Sequence, residues 1–292
     1  MPTIFSPVAS IVKPVSRRVF DGRRAAIAIP SLAIDYLIVG GGGSGGYYIG
    51  GGGGAGEVYP SPAPIALVAG VTYSFVVGAG AAPGGYDGSP STFSIAGALI
   101  KTAVGGLAGV LNGGAGSGNG GNSGNGFSGG AGLGFGGNYG GAGGGGATEA
   151  GKPNTNTPNA GGDGGLGYVW IDGRRYGNGG GGAASNNAGT PTIGRGGAQN
   201  GSGDGQAYDA SGNIILSGAQ QGSSGFANTG DGGGGGNIGA NNWVNTLGGG
   251  SGIGVLAVPA ASYTGVTTGS PTIEVVGATT YIRFLSSGSY TA

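Results

Sequence analysis

Hydrophobic and polar positions alternate in only a few short stretches of this chain. Ile34 to Val39, Ala63 to Val68 and Thr72 to Val77 are short and rich in β-branched or aromatic residues, which predicts strands. Tyr168-Val169-Trp170-Ile171 and Arg174-Arg175-Tyr176 flank Asp172-Gly173, the signature of a tight hairpin. The first strand runs without a break into Gly40-Gly41-Gly42-Gly43-Ser44-Gly45-Gly46. From there to Gly252 glycine dominates, and only Gly22, Gly265, Gly269, Gly277 and Gly288 of the 82 glycines lie outside the body spanning residues 40 to 256. The runs recur at 50–54, through 105–146, at 161–165, 177–182 and 230–236, alike in composition but without a fixed period.

Such a body has no conventional apolar core, and composition alone reads as disorder. Charged residues are only 8% and the net charge is zero, so a disordered form would lack charge solvation, and the runs are punctuated by strand-like segments. Ordering glycine costs about 0.5 to 1 kcal/mol per residue relative to alanine, several tens of kcal/mol over the body. Polyglycine in the polyproline-II geometry offers compensation. With three residues per turn and no internal hydrogen bonds, its N–H and C=O groups point outward, and neighbouring helices can approach until those groups bond laterally. The predicted fold is therefore irregular and glycine-rich: a bundle or sandwich of polyglycine-II helices flanked by short β-strands, with almost no α-helix. Collagen is excluded, because glycine does not fall at every third position and there are only 14 prolines.

Residues 1–33 differ in kind. Pro2, Pro7, Pro14 and Pro30 keep the segment extended, while Lys13, Arg17, Arg18, Arg23 and Arg24 concentrate basic charge. This reads as an attachment arm that docks on an acidic or carbonyl-rich partner surface, against the alternative of a solvated leader. Four regions follow: the arm at 1–33, a β-rich segment with the first polyglycine runs at 34–104, a polyglycine-II body with connecting loops at 105–256, and a C-terminal β segment at 257–292. Pro7 and Pro14 interrupt any signal-like run, no apolar stretch reaches the roughly 20 residues needed to span a bilayer, and no aromatic platform accompanies the basic residues to bind nucleic acid.

Cysteine and histidine are absent, which removes disulfides, thiolate ligands, the commonest metal ligand and the usual general base. Three enzyme signatures fail on inspection. Gly40, Gly42 and Gly45 fit a dinucleotide fingerprint, but Gly50 to Gly54 follow where a helix is required. Gly146 to Lys152 fits the start of a phosphate-binding loop, but Pro153 replaces the Ser or Thr that would hold magnesium. Gly42 to Gly46 fits a nucleophile elbow, but no histidine exists to activate Ser44. The aspartates lack the spacing of calcium-binding repeats. No catalytic, metal or cofactor site is expected.

The informative side chains lie between the runs. Tyr47, Tyr48, Tyr168, Trp170, Tyr176, Asn242 and Trp243 combine flat rings with amide neighbours, which suits recognition of surface glycans, and Arg174 and Arg175 suit anionic sugars. The competing reading is that some rings, Trp170 and Trp243 among them, plug the bundle or a subunit interface; Tyr36, Tyr73 and Phe75 are expected in the core.

In order, Tyr36 to Val39 entering polyglycine, Gly51 to Val58, Tyr73 to Gly80, Ser91-Thr92-Phe93, Ala227 to Gly230 before Gly232 to Gly236, and Gly249 to Ile253 resemble the glycine-rich domain of tailed-bacteriophage adhesins and tail-fibre proteins. Gly269 to Thr272, Tyr281 to Phe284 and Ser286 to Ser289 resemble the C-terminal β segment of such proteins. The resemblance implies a polyglycine-II sandwich on a virion, fixed by its arm to a tail, baseplate or fibre protein, with distal loops that bind a bacterial surface glycan or outer-membrane protein. Fibres of this kind are commonly trimeric, and residues 272–285 are candidates for pairing between chains, so a homotrimer is the oligomer to test. The arm has no counterpart in the resemblance. The alternative is a structural or ice-binding protein acting through a flat polyglycine-II face.

Overall fold

Leu32–Val39 (β1) alternates at its start and is uniformly apolar over Leu37-Ile38-Val39, a pattern that suits a central strand covered on both faces. The computed structural model describes residues 32–110, 118–132, 139–154, 160–184, 192–197, 202–205, 222–238, 244–245 and 247–292. The arm residues Lys13, Arg17, Arg18, Arg23 and Arg24 lie outside the described residues, as do Asn242 and Trp243.

The strands in chain order are Val58–Pro60 (β2), Ile65–Leu67 (β3), Thr72–Val76 (β4), Ser91–Ile95 (β5), Ala98–Ala103 (β6), Tyr168–Val169 (β7), Arg175–Tyr176 (β8), Asn237–Ile238 (β9), Val244–Asn245 (β10), Ile253–Pro259 (β11), Thr267–Thr268 (β12), Thr272–Val276 (β13), Thr279–Phe284 (β14) and Gly288–Thr291 (β15). The described residues contain no α-helix, only a 3₁₀ turn at Ala260–Ser262. One antiparallel sheet has the order β13-β14-β11-β1-β2, with β3 also on β1, and a second has the order β12-β15-β4-β5-β6. The β-rich segments on either side of the glycine body are thus halves of one sandwich.

Its core follows from strand alternation. Ile34, Tyr36 and Ile38 of β1, Leu256 and Val258 of β11, and Ile282 and Phe284 of β14 face Tyr73, Phe75, Phe93 and Tyr290 of the other sheet. Aromatic rings carry most of this contact, with Tyr36 and Phe93 centroids 4.4 Å apart, Phe75 and Phe93 4.7 Å and Phe75 and Phe284 5.0 Å. Gly254 makes room for them, since a Cβ there would overlap the Phe75 ring. The opposite face of the first sheet, lined by Leu37, Val39, Val255 and Tyr281, is covered by Trp170 and Tyr176 of the β7–β8 hairpin.

The strands do not end at the sandwich. β1, β4 and β6 continue into glycine rods at 40–46, 77–81 and 104–110, while rods at 50–57, 86–90 and 247–252 feed β2, β5 and β11. Rod 40–46 exhibits the polyglycine-II pattern directly. Gly40, Gly43 and Gly46 donate to the carbonyls of Glu57, Gly54 and Gly51; Gly41 and Ser44 donate to Ser89 and Tyr86; Gly42 and Gly45 donate to Gly250 and Leu247. Every third N–H therefore meets the same neighbour, as three residues per turn requires. The same rod accepts from Gly106 and Gly109, from Ala81, and from Gly233 and Gly236, so it is enclosed by rods on all sides.

Rod 50–57 is enclosed in the same way. It donates to rods 230–236, 104–110 and 142–145, and accepts from 40–46, 118–124 and 177–183. Both antiparallel and parallel neighbours occur, because the outward groups of a polyglycine-II helix do not distinguish direction. The interior of this lattice is backbone. A Cβ on Gly42 would overlap the Asp231 carbonyl, and one on Gly53 the Gly43 carbonyl.

Asp231 is buried in this lattice, as is Asp204. Asp231 accepts hydrogen bonds from the Asn178 N–H (2.8 Å), the Asn178 side-chain amide (3.1 Å) and the Ser202 hydroxyl (2.6 Å). Burial pushes its pKa above the ordinary 3.8, an effect opposed by those hydrogen bonds. The folded state thus binds this proton more tightly than the unfolded chain, so the contribution to stability is full below about pH 3.8 and declines as pH rises towards the folded pKa. Asp231→Asn is expected to flatten that decline, as read from denaturant midpoints between pH 4 and 7; an unchanged slope would contradict it.

Candidate functional site

Rods that follow one another along the chain, such as 40–46 and 50–57, run in opposite directions, so their connections fall at two ends, one beside the sandwich and one remote from it. At the remote end, rod 40–46 turns back through Tyr47-Tyr48-Ile49 into rod 50–57, with Gly46 N–H on the Gly51 carbonyl at 2.9 Å. Tyr48 and Ile49 have φ of 64° and 56°, the left-handed region, which costs non-glycine residues about 1–2 kcal/mol each. Left-handed backbone in a β-branched residue is uncommon, and such strain gathers at functional turns. Tyr48 is 49% exposed and Tyr47 half-buried.

The neighbouring turn is fixed by the single non-glycine residue of rod 40–46. Ser44 is fully buried, and its hydroxyl accepts from the N–H groups of Gly85 (3.0 Å) and Tyr86 (2.9 Å). Its own N–H donates to the Tyr86 carbonyl at 3.0 Å. Tyr86, 62% exposed, is thereby held at the same end as Tyr48, and a Cβ on Gly85 would lie 4.0 Å from the Tyr47 ring. β9 follows rod 230–236 here, where the Gly236 N–H meets the Gly46 carbonyl at 2.7 Å. β9 and β10 pair as Asn237↔Asn245 and Ile238↔Val244, and the candidate residues Asn242 and Trp243 belong to the connection between them, outside the described residues.

The remaining candidates lie at the opposite end, on the sandwich. Trp170 is 4% and Tyr176 2% exposed; both pack on the outer face of the first sheet, with Trp170 edge-on to Tyr281 at 6.1 Å. This corrects the expectation of receptor contact at these two positions: a sealed ring offers a receptor no surface, and the packing reading holds. Tyr168 is half-buried against the same cluster, and Arg174 and Arg175 are exposed.

The hairpin turn carries an ion cluster. Gly173 has φ 75°, as a tight turn requires, and the Asp172 carboxylate accepts from the Arg174 N–H (3.1 Å), the Tyr176 hydroxyl (2.7 Å), and Nε (3.3 Å) and NH2 (3.1 Å) of Arg283. Arg283 also donates to Glu274 at 2.6 Å, and Glu274 in turn accepts from Arg174 at 3.2 Å. Burial alone would lower the Arg283 pKa, but its hydrogen bonds and charge interaction with Asp172 outweigh this and raise it. Burial, with the Asp172 hydrogen bond second, pushes the Tyr176 phenol well up, so it stays a neutral donor. The cluster pins the hairpin to β14.

The candidate residues thus separate into two groups. Tyr47 and Tyr48 stand with Tyr86 and the base of the β9–β10 hairpin at the remote end, while Tyr168, Trp170, Arg174, Arg175 and Tyr176 stand at the sandwich. Tyr86 escapes sequence reasoning as an individual candidate. Its signal is Ser44, whose hydroxyl inside a packed glycine rod demands a local partner.

A family model described as a glycine-rich domain matches residues 22–259 of the chain. No curated protein and no solved structure matches it.

Proposed function

The chain belongs to the glycine-rich domain family, and from that premise we propose that it is a non-enzymatic receptor-binding adhesin of a tailed-bacteriophage fibre. The rods hold the remote turns rigidly, those turns recognise a bacterial surface glycan or outer-membrane protein, and the basic N-terminal arm joins the protein to a tail, baseplate or fibre component. The observation that carries this reading is the gathering of Tyr47, Tyr48, Tyr86 and the β9–β10 hairpin base at the lattice end opposite the sandwich. The order of motifs, which resembles that of phage adhesins, supports the virion setting. The absence of histidine and cysteine from the sequence supports a binding role over a catalytic one.

Exposed aromatic anchors commonly dominate recognition surfaces while contributing little to folding. Tyr48→Ala and Tyr86→Ala are therefore expected to keep the parent melting temperature while weakening saturable binding of the labelled protein to susceptible bacteria about tenfold. Full binding by both variants would overturn the assignment of this end. Thermal hysteresis of the pure protein without cell binding would favour the ice-binding alternative instead. Antibody labelling of the arm in purified particles tests the attachment.

A further inference from the structure

A cleft of about 410 Å³ opens on the flank of the molecule where the lattice meets the sandwich, between the β7–β8 hairpin, the turn at 227–229 and the β13–β14 edge. Its lining includes Arg174, Arg175, Arg283, Asn228, Thr229 and Thr272. We propose that this cleft is a binding site for a carboxylate group, borne by an acidic sugar or by an acidic segment of a partner polypeptide. It is independent of the remote-end site, which it neither adjoins nor requires.

The charge distribution is the first argument. The guanidiniums of Arg174, Arg175 and Arg283 are set against the carboxylates of Glu274 and Asp172, which leaves a surplus positive charge. Asp172 does not compete for a ligand, because its side chain is fully buried and already accepts from Arg283, Tyr176 and the Arg174 backbone. Arg283 is equally committed, with a side chain 3% exposed and bonds to both Asp172 and Glu274. The buried pair forms a rigid floor.

Availability is the second argument. Among the described residues the Arg174 side chain is tied by NH2 to Glu274 at 3.2 Å, and both side chains of that pair are about half exposed. Such an exposed pair is weak and yields readily to another carboxylate. Arg175 bonds the Gly167 carbonyl through NH1, leaving Nε and NH2 as further donors. A guanidinium donates two parallel hydrogen bonds to a carboxylate, a geometry that a neutral hydroxyl cannot reproduce. The hydroxyl and amide groups of Thr229, Thr272 and Asn228 line the cleft beside them and suit the polar remainder of a sugar or peptide.

The test is calorimetric titration of the full chain with sodium glucuronate and with hexaglutamate, using glucose and hexaglutamine as neutral counterparts. At least one carboxylate probe is expected to bind saturably while its neutral counterpart does not. Arg174→Gln combined with Arg175→Gln is expected to weaken that binding about tenfold, and Arg174→Gln alone by a smaller factor. Lys152→Gln removes one positive charge, as Arg174→Gln alone does, from an exposed lattice position outside the cleft and is expected to change binding less than about twofold. Preference for glucuronate assigns the site to an acidic sugar, and preference for hexaglutamate to an acidic polypeptide. Absence of carboxylate binding, equal binding of the neutral probes, or an effect of Lys152→Gln as large as that of the double variant would overturn the proposal.

Discussion

Gly53→Ala is expected to leave little or no soluble, folded protein, whereas Gly277→Ala should lower the melting temperature by only a few degrees. Both changes add one methyl group. At Gly53 the methyl carbon would overlap the Gly43 carbonyl oxygen and approach that of Ser44 to 2.6 Å. These atoms are backbone of an adjacent rod and have no rotamer with which to escape. Moving that rod would break its own lateral bonds, among them Gly43 N–H to Gly54 (2.9 Å), Ser44 N–H to Tyr86 (3.0 Å) and Gly233 N–H to Gly43 (2.9 Å). Each buried group left unsatisfied costs about 1–3 kcal/mol, so losing several of these bonds approaches the whole 5–15 kcal/mol of a typical domain. Gly277 has φ 59° and nothing within 4 Å of the added carbon, so alanine there meets only the left-handed penalty of about 1–2 kcal/mol. Soluble yield and denaturant midpoints of the two variants check the contrast. A well-folded Gly53→Ala protein would contradict the packed lattice.

How far this lattice is legible in the sequence depends on which residues are asked. The strand that enters polyglycine at Val39-Gly40 is plain, because a β-branched apolar run meets a run with no side chains at all. The polyglycine-II geometry also follows from the need to satisfy backbone groups without a conventional core. Which rods are neighbours does not follow. A glycine run carries the same outward donors and acceptors whatever its partner, so rod 50–57 placed against 40–46 and against 177–183 looks the same from its own sequence. Neighbours are fixed instead by the strands at the rod ends, where Val39↔Ile253 and Val39↔Val58 set the register that the glycines continue.

The candidate site was legible to the same degree. Tyr47 and Tyr48 interrupt two enclosed rods and had to lie at a turn. The pairing of Asp172 with Arg283, 111 residues apart, leaves no local pattern to read. Exposure of Arg174 and burial of Tyr176 two positions later depend on a sheet face assembled from residues 37, 255 and 281, beyond the reach of any local window.

Trp170→Ala is expected to destabilise the protein by about 3–5 kcal/mol, the usual cost of deleting a large buried ring. The reason lies in β1. Leu37-Ile38-Val39 is apolar at consecutive positions, so Leu37 and Val39 face away from the aromatic core that receives Ile38 and need a cover of their own. Trp170 provides it, together with Tyr176, and its removal would expose Val255, Leu37 and the Tyr281 ring while leaving the hairpin anchored chiefly by Asp172. The melting temperature should fall by roughly 10 °C. Saturable cell binding, measured below the transition and per folded molecule, should match the parent, because Trp170 stands at the end opposite Tyr48 and Tyr86. Phe and Leu at position 170 should recover stability in order of buried area, which separates loss of packing from loss of a specific contact. Unchanged stability with lost cell binding would return Trp170 to the receptor surface and place the recognition face at the sandwich.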